Sequence, residues 1–273
     1  MNLDQLSPKI KALILDMDGV LWRADEAIGD LVRNFEAITA RGLKVSLATN
    51  NSTRNSADYV QKLASFGVNL DESQVFNCSE VLAVILKEKF PKGGEVYIVG
   101  GSGLAEVLTR HGFTPYTAEE NDLPPALEKN SPVAVVSGLD IGINYKKLAQ
   151  ATLLIRAGVP YYATNPDNTY PSTFGQLPGA GSIIAALTAA TGVDPIVAGK
   201  PEPYLFNLAM QQMGVSPEET LVVGDRLETD ILGGRNAGCK TALVLTGVAT
   251  REEGQAWIPK VDMIVENLSN IVF

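Results

Sequence analysis

The chain has 273 residues, of which 45% are apolar and 19% are charged, proportions that are ordinary for a soluble globular protein with a sizeable core. Disordered, collagen-like and coiled-coil chains are therefore excluded. The 31 acidic and 22 basic residues give a net charge of −9, which argues against binding to nucleic acids or anionic membranes, because both require a positive field.

The cysteines and the amino-terminal segment indicate the compartment. Cys78 and Cys239 lie far apart and neither belongs to a CxxC pair, so a disulfide scaffold or a cysteine-based zinc site is not expected. The first residues carry no signal-peptide pattern, and no stretch reaches the ~18 apolar residues needed to span a bilayer. The sequence therefore predicts a cytoplasmic protein whose partners include neither nucleic acid nor membrane.

Short β-rich runs alternate with helical patterns along the chain, which is typical of a parallel sheet with helices on its faces. In chain order, the predicted strands are residues 12–15, 44–48, 95–99, 133–136, 159–163, 220–223 and 241–245. The predicted helices are residues 31–40, 57–66, 104–110, 145–156, 182–190, 204–213 and 229–236. Two stretches rich in turn residues, 114–132 and 164–181, are expected to be irregular.

Polar side chains that could carry chemistry lie at or just after the ends of predicted strands or short apolar runs. In an open parallel sheet, ligands bind outside the carboxyl ends of the strands, so these side chains are expected at one edge. They are Asp16, Asp18, Thr49, Asn50, Asn51, Lys200, Asp225 and Asp230. Taken singly, each group has an ordinary structural explanation as a turn, a helix cap or a solvated lysine. Their combination, in this order, favours a functional site.

The types of residue indicate the chemistry. Carboxylates clustered at one edge repel one another unless a hard cation lies between them, and oxygen ligands without His or Cys favour Mg²⁺. A bound Mg²⁺ would let an ionised carboxylate approach a phosphate dianion. A hydroxyl, backbone N–H groups and a lysine can then hold the phosphate oxygens. The sequence therefore predicts phosphate chemistry supported by magnesium.

Four motifs together resemble those of the haloacid dehalogenase superfamily of phosphatases. They are Asp16-Met17-Asp18-Gly19-Val20-Leu21, Ala48-Thr49-Asn50-Asn51-Ser52, Gly199-Lys200-Pro201 and Gly224-Asp225-Arg226-Leu227-Glu228-Thr229-Asp230. The gap of about 150 residues between Thr49 and Lys200 resembles the C2-capped branch that contains NagD-like and 4-nitrophenylphosphatase-like enzymes. Residues 163–167 and 177–182 are similar to that branch as well.

The resemblance implies an α/β fold with two domains. A Rossmann-like parallel-sheet core would comprise residues 1–79 and 181–273, and an inserted α/β cap of the C2 type would comprise residues 80–180. The implied function is Mg²⁺-dependent hydrolysis of small phosphomonoesters, such as 4-nitrophenyl phosphate, phosphoglycolate, sugar phosphates or pyridoxal phosphate, through an aspartyl-phosphate. The implied assembly is a monomer or a homodimer formed through the cap.

The resemblance also implies a role for each residue. Asp16 would be the nucleophile, and Asp18 would protonate the leaving group and later deprotonate water. The metal ligands would be Asp16, Asp18 through its carbonyl oxygen, and Asp225. The phosphate would be held by Thr49 and Lys200, with Asn50 and Asn51 nearby. Asp230 would orient the site.

The sequence also offers one candidate substrate contact outside the four motifs and leaves two rival functions open. Tyr170, in the loop 164–172, is expected to contact the substrate, with a hinge turn as the alternative for that loop. The first rival is a phosphotransferase that passes the same aspartyl-phosphate to another acceptor. The second is a non-catalytic signalling domain that is phosphorylated on an aspartate. Asp18 argues against the second, because a long-lived phosphoaspartate needs no neighbouring carboxylate to activate water.

Overall fold

The computed structural model describes residues 3–52, 55–118, 132–172 and 175–273, and its α/β class agrees with the prediction. The strands are β1 (Ala12–Leu15), β2 (Trp22–Arg23), β3 (Glu26–Ala27), β4 (Lys44–Thr49), β5 (Val75–Asn77), β6 (Gly94–Val99), β7 (Phe113–Tyr116), β8 (Ala134–Ser137), β9 (Tyr161–Ala163), β10 (Thr169–Ser172), β11 (Gly175–Pro178), β12 (Ile196–Val197), β13 (Thr220–Gly224), β14 (Lys240–Val244) and β15 (Met263–Val265). The α-helices are α1 (Leu31–Ala40), α2 (Ser56–Ser65), α3 (Cys78–Lys89), α4 (Ser102–Arg110), α5 (Tyr145–Arg156), α6 (Ala180–Thr191), α7 (Tyr204–Met213), α8 (Leu232–Asn236), α9 (Arg251–Ala256) and α10 (Ser269–Val272). A single π-helical turn, Leu227–Ile231, precedes α8.

The chain divides into two compact units. The first unit consists of Met1–Thr49, Ser56–Phe76 and Lys200–Phe273, and the second unit consists of Asn50–Asn55 and Asn77–Gly199. This division differs from the boundaries expected from the sequence, which assigned residues 181–199 to the core. Helix α6 packs against α5, and β12 pairs in parallel with β9, so both elements belong to the second unit.

The first unit is built on a six-stranded sheet with the order β15-β14-β13-β1-β4-β5. The pairings of β1 with β13 and β4, and of β14 with β13 and β15, are parallel. Every residue of β1 and β13 is buried, which explains their continuous apolar runs. In this register Leu15 lies beside both Val223 and Leu47, so the chain leaves β1, β4 and β13 at one edge of the sheet.

The second unit contains a five-stranded sheet with the order β12-β9-β8-β6-β7, and all its pairings are parallel. Strands β10 and β11 form a separate antiparallel hairpin. The sequence-based expectation that residues 164–181 are irregular is therefore wrong for these two strands. Pro171 and Pro178 make these strands hard to recognise from the sequence, because proline is rare in strands. It is tolerated in edge strands such as these.

Strand β7 occupies the start of the stretch 114–132, which was expected to be irregular, and residues 119–131 of that stretch lie outside the described residues. Within the described ranges, no helix combines the length and the hydropathy that crossing a bilayer requires.

Candidate active site

Asp16 is the first residue after the buried strand β1. Its backbone N–H donates to the carbonyl oxygen of Val223 at 2.8 Å, which extends the pairing of β1 with β13 by one residue. Only 12% of its side chain is exposed, and its Oδ1 lies 2.6 Å from Nζ of Lys200. A carboxylate is thus fixed at the carboxyl edge of the sheet, with one oxygen bonded to an ammonium.

Lys200 connects three elements of the first unit through its ammonium group. Nζ donates to Oδ1 of Asp16 at 2.6 Å, to Oδ1 of Asp230 at 2.6 Å and to the carbonyl oxygen of Ala48 at 3.1 Å. An ammonium has three N–H donors, so these three acceptors match its capacity. The side chain is 3% exposed. Thr49, the last residue of β4, follows Ala48 directly and is also buried.

Burial and charge act against each other at this cluster. Burial raises the pKa of Asp16 well above its ordinary value, Lys200 opposes that rise, and the carboxylates of Asp230 and Asp225 add to it. Burial would lower the pKa of Lys200, but the carboxylates of Asp16 and Asp230 outweigh burial and raise the pKa above its ordinary value. Lys200 therefore carries a buried positive charge that compensates the acidic residues around it.

Asp225 follows β13, and only one of its carboxylate oxygens has a hydrogen-bond partner in the described part of the chain. Its Oδ2 accepts a hydrogen bond from the backbone N–H of Val248 at 2.9 Å. Its Oδ1 is buried and has no hydrogen-bond partner among the described residues. Burial, with a contribution from the charge of Asp230, raises the pKa of Asp225 to about 6. A buried carboxylate oxygen of this kind is suited to binding a cation.

Asp230, in the π-helical turn, differs from Asp225 because both of its oxygens are bonded to protein. Oδ1 accepts from Lys200, and Oδ2 accepts from the backbone N–H of Arg226 at 3.1 Å. Asp16, Asp225 and Asp230 each offer one oxygen, and these three atoms lie within 4.8 Å of one another. The cluster therefore contains one carboxylate that supports the lysine and two that retain capacity for a cation.

Two glycines make room for these carboxylates. Gly19 has φ +85°, and a Cβ atom at this position would lie 2.6 Å from Oδ2 of Asp225. A Cβ atom on Gly224 would lie 2.1 Å from Cβ of Asp230. Both separations are shorter than non-bonded atoms tolerate, so the backbone approaches the carboxylates at a distance that only glycine allows.

Asp18 lies in the tight turn between β1 and β2, and its side chain is exposed. The indole Nε1–H of Trp22 donates to its Oδ1 at 2.9 Å. In the same turn, the backbone N–H of Gly19 donates to the carbonyl oxygen of Trp22 at 2.8 Å. The exposed carboxylate of Asp18 is therefore held by a neighbour in the turn, outside the buried acidic cluster.

The remaining predicted residues belong to the second unit. The carbonyl oxygen of Asn50 accepts from Nδ2 of Asn165 and from Sγ of Cys78, both at 2.9 Å, and its Nδ2 donates to Oδ1 of Asp167 at 3.2 Å. These bonds explain why the chain changes unit directly after Thr49. Asn51 is exposed, and Tyr170 is half-buried in β10.

Comparison with known proteins identifies the family. The haloacid dehalogenase-like hydrolase family matches residues 13–114, and the HAD-hydrolase-like family matches residues 197–271. Phosphoglycolate phosphatase 2 of Arabidopsis thaliana is 37% identical over 262 residues, which cover 91% of this chain and 87% of that protein. The chain belongs to the haloacid dehalogenase superfamily. It is a phosphoric monoester hydrolase of the NagD-like branch.

Solved structures of the superfamily agree with this assignment. The 4-nitrophenylphosphatase of Thermotoga maritima is 34% identical, with a TM-score of 0.85 and 96% of each chain covered. The glycerol phosphate phosphatase of Mycobacterium tuberculosis, solved in complex with magnesium, is 33% identical, with a TM-score of 0.84, and the match covers 96% of this chain and 77% of that one.

Several groups that complete the site of this phosphatase had no sequence signal. The backbone groups of Ala48, Arg226 and Val248 bind the side chains of Lys200, Asp230 and Asp225, respectively. Every residue type has such backbone groups, so the sequence does not indicate these bonds. The loop that carries Val248 follows β14, so its position after a strand was the one available indication. Trp22 lies four residues after Asp18, and in a turn this spacing is not enough to predict the hydrogen bond between their side chains.

Proposed function

We propose that this phosphatase cleaves small phosphomonoesters in two steps, with Asp16 carrying the phosphoryl group between them. The observation that supports the proposal is the Lys200 ammonium bonded at 2.6 Å to both Asp16 and Asp230, beside the strand ends. By opposing the effect of burial on the pKa of Asp16, Lys200 favours the ionised form that can attack phosphorus.

The acidic cluster fits a magnesium ion. Oδ1 of Asp225 is a buried oxygen without a partner among the described residues, and the donors are all oxygens, as Mg²⁺ prefers. The ion would be held by Asp16, by the backbone carbonyl oxygen of Asp18 and by Asp225. When bound, Mg²⁺ would neutralise negative charge where a carboxylate and a phosphate meet. The magnesium complex of the similar glycerol phosphate phosphatase supports this proposal.

Positively charged and hydroxyl groups would bind the phosphate. Lys200 would supply the positive charge, and Thr49 would supply a hydroxyl donor. Asn50 and Asn51 are further candidates for binding the substrate. Because Asp230 bonds both Lys200 and the N–H of Arg226, we assign it to orienting the lysine.

Asp18 would act as the general acid and then as the general base. In the first step an oxygen of Asp16 bonds to phosphorus, the ester P–O bond breaks, and Asp18 gives its proton to the departing alkoxide. In the second step Asp18 takes a proton from water, the water oxygen bonds to phosphorus, and the bond from phosphorus to Asp16 breaks. The products are an alcohol and inorganic phosphate, and both carboxyl groups return to their starting state.

The similar proteins suggest which substrates to test. Their names refer to phosphoglycolate, 4-nitrophenyl phosphate and glycerol phosphate, which are all small phosphomonoesters. We propose that this phosphatase acts on the same class of compound and that its second unit, including Tyr170, selects the leaving group.

The test compares phosphate release from these three esters by the wild type and by Asp16→Asn. The substitution keeps the shape of the side chain but removes its charge, so turnover should fall to background while the protein remains folded. Asp4→Asn, at an exposed carboxylate paired with Arg41, is the matched control and should retain full activity. Substantial turnover by pure, folded Asp16→Asn would refute the mechanism.

The same assay separates hydrolysis from phosphoryl transfer. With added alcohol as an acceptor, a hydrolase releases equal amounts of inorganic phosphate and leaving alcohol. A deficit of inorganic phosphate that grows with the acceptor concentration would instead favour the phosphotransferase.

A further inference from the structure

The indole of Trp22 is buried among other side chains and bonds to Asp18. The side chain is 1% exposed. Its ring stacks on Tyr59 with a centroid separation of 6.5 Å, and the ring of Phe66 lies 6.1 Å away. Nζ of Lys62 lies 4.6 Å from the centre of the same indole and donates to the carbonyl oxygen of Ala24 at 2.6 Å. The indole is therefore enclosed by side chains of α2 and the residue that follows it, on a different element from Asp18.

The carboxylate of Asp18, which this indole contacts, is exposed to solvent. Because it is exposed, packing does not select among its rotamers. Its Oδ1 accepts the indole N–H at 2.9 Å, and the backbone groups of Asp18 and Trp22 lie opposite each other in an isolated β-bridge. The buried indole can therefore determine where the exposed carboxylate points.

We infer that Trp22 is a positioning residue for Asp18: its N–H fixes one carboxylate oxygen, so that the other oxygen is directed to the proton that moves during catalysis. The inference rests on the acid–base role proposed for Asp18. A hydrogen bond of this kind is strong enough to change the population of the correct rotamer by roughly 5- to 30-fold. A buried indole also tends to find a partner for its N–H without any catalytic role, and the test must separate these explanations.

The first variant is Trp22→Phe, which keeps an aromatic ring against Tyr59 but removes the N–H. The value of kcat/KM reports the first step, in which glycerol phosphate needs a protonated leaving group and 4-nitrophenyl phosphate does not. We expect kcat/KM to fall by roughly 5- to 30-fold for glycerol phosphate and by less than about threefold for 4-nitrophenyl phosphate. Phe66→Leu disturbs the same ring without removing the N–H, so it should leave the ratio of the two values unchanged.

A second variant covers the case in which Trp22→Phe does not fold. Benzothienylalanine at position 22 has the shape of tryptophan with sulfur in place of the N–H, so packing is preserved while the donor is lost. It should change the ratio as Trp22→Phe does. An equal decrease for both substrates, with either variant, would overturn the inference and leave Trp22 a packing residue.

A double-mutant cycle with Asp18→Asn separates failure of the inference from failure of the proposed function. If Trp22 acts through Asp18, adding Trp22→Phe to Asp18→Asn should change kcat/KM for glycerol phosphate by less than about twofold. If Asp18→Asn shifts the ratio but the two effects are additive, the inference fails and the acid–base role stands. If Asp18→Asn itself does not shift the ratio, the proposed role of Asp18 fails and the inference fails with it.

Discussion

Replacing Lys200 by methionine tests the electrostatic balance at the centre of the site. Methionine has nearly the same length and fills the same space, but it carries no charge and donates no hydrogen bond. Lys200→Met would therefore leave Asp16 and Asp230, whose side chains are 12% and 2% exposed, without the ammonium that lies 2.6 Å from each. Removing one partner of a buried ion pair typically costs about 3–5 kcal/mol of folding free energy.

The loss of folding free energy in Lys200→Met should increase as the pH rises. Burial already raises the pKa of Asp16, and the variant loses the opposing effect of Lys200, so that pKa rises further. A carboxyl group with a raised pKa binds more protons in the folded state than in the unfolded state, so it favours folding increasingly as the pH falls. The destabilisation should therefore be largest near about pH 8 and smaller near about pH 5.

Urea titrations without added metal measure this effect. Lys11→Met is the matched control, since Lys11 pairs with Glu219 at 2.5 Å but is 61% exposed, and exposed pairs contribute at most about 1 kcal/mol. If Lys200→Met loses no more folding free energy at about pH 8 than Lys11→Met does, or if its loss grows on acidification, Lys200 does not balance the buried charge of Asp16.

Two further variants test the metal and the substrate. In Asp225→Asn, the Mg²⁺ concentration for half-maximal activity should rise by more than roughly 10- to 100-fold, the cost of losing a group that only supports a metal ligand. In EDTA, Asp225→Asn should become more stable relative to wild type as the pH rises from about 4 to about 7. The pKa of Asp225 is raised to about 6 in the folded protein, so ionising its buried carboxyl group destabilises the wild type over this range. A difference in stability between the two proteins that does not change with pH would contradict this. Tyr170→Ala should change relative kcat/KM among the three esters by ~1–3 kcal/mol, whereas Tyr145→Ala, at a residue that is 84% exposed, should leave the ranking unchanged.

Much of the first unit could be predicted because its signals are local. Strand β1 is a continuous apolar run that ends in an aspartate, and burial on both sides requires such a run. Helix α1 begins where Asp30 accepts a hydrogen bond from the N–H of Arg33, and it ends just before Gly42, which has φ +69°. The strand ends then indicated where the acidic residues would gather.

Features that depend on distant partners could not be predicted in this way. Thr49 and Asn50 are adjacent in one motif, yet Asn50 belongs to the second unit because Asn165 and Cys78 bond its carbonyl oxygen. Asp230 likewise differs from Asp225 because Lys200, 30 residues earlier in the chain, donates a hydrogen bond to it. Pairings of this kind are settled by the folded chain and have no periodic pattern.

Chemical trapping of the phosphorylated enzyme tests directly whether Asp16 carries the phosphoryl group. Enzyme that is turning over 4-nitrophenyl phosphate is quenched in acid within milliseconds and reduced with borohydride, which converts an aspartyl-phosphate to homoserine, and the peptides are sequenced by mass spectrometry. Homoserine is expected at position 16 in wild type, and none is expected in Asp16→Asn. Homoserine at another aspartate, or its absence from an enzyme caught in turnover, would contradict the claim that Asp16 carries the phosphoryl group.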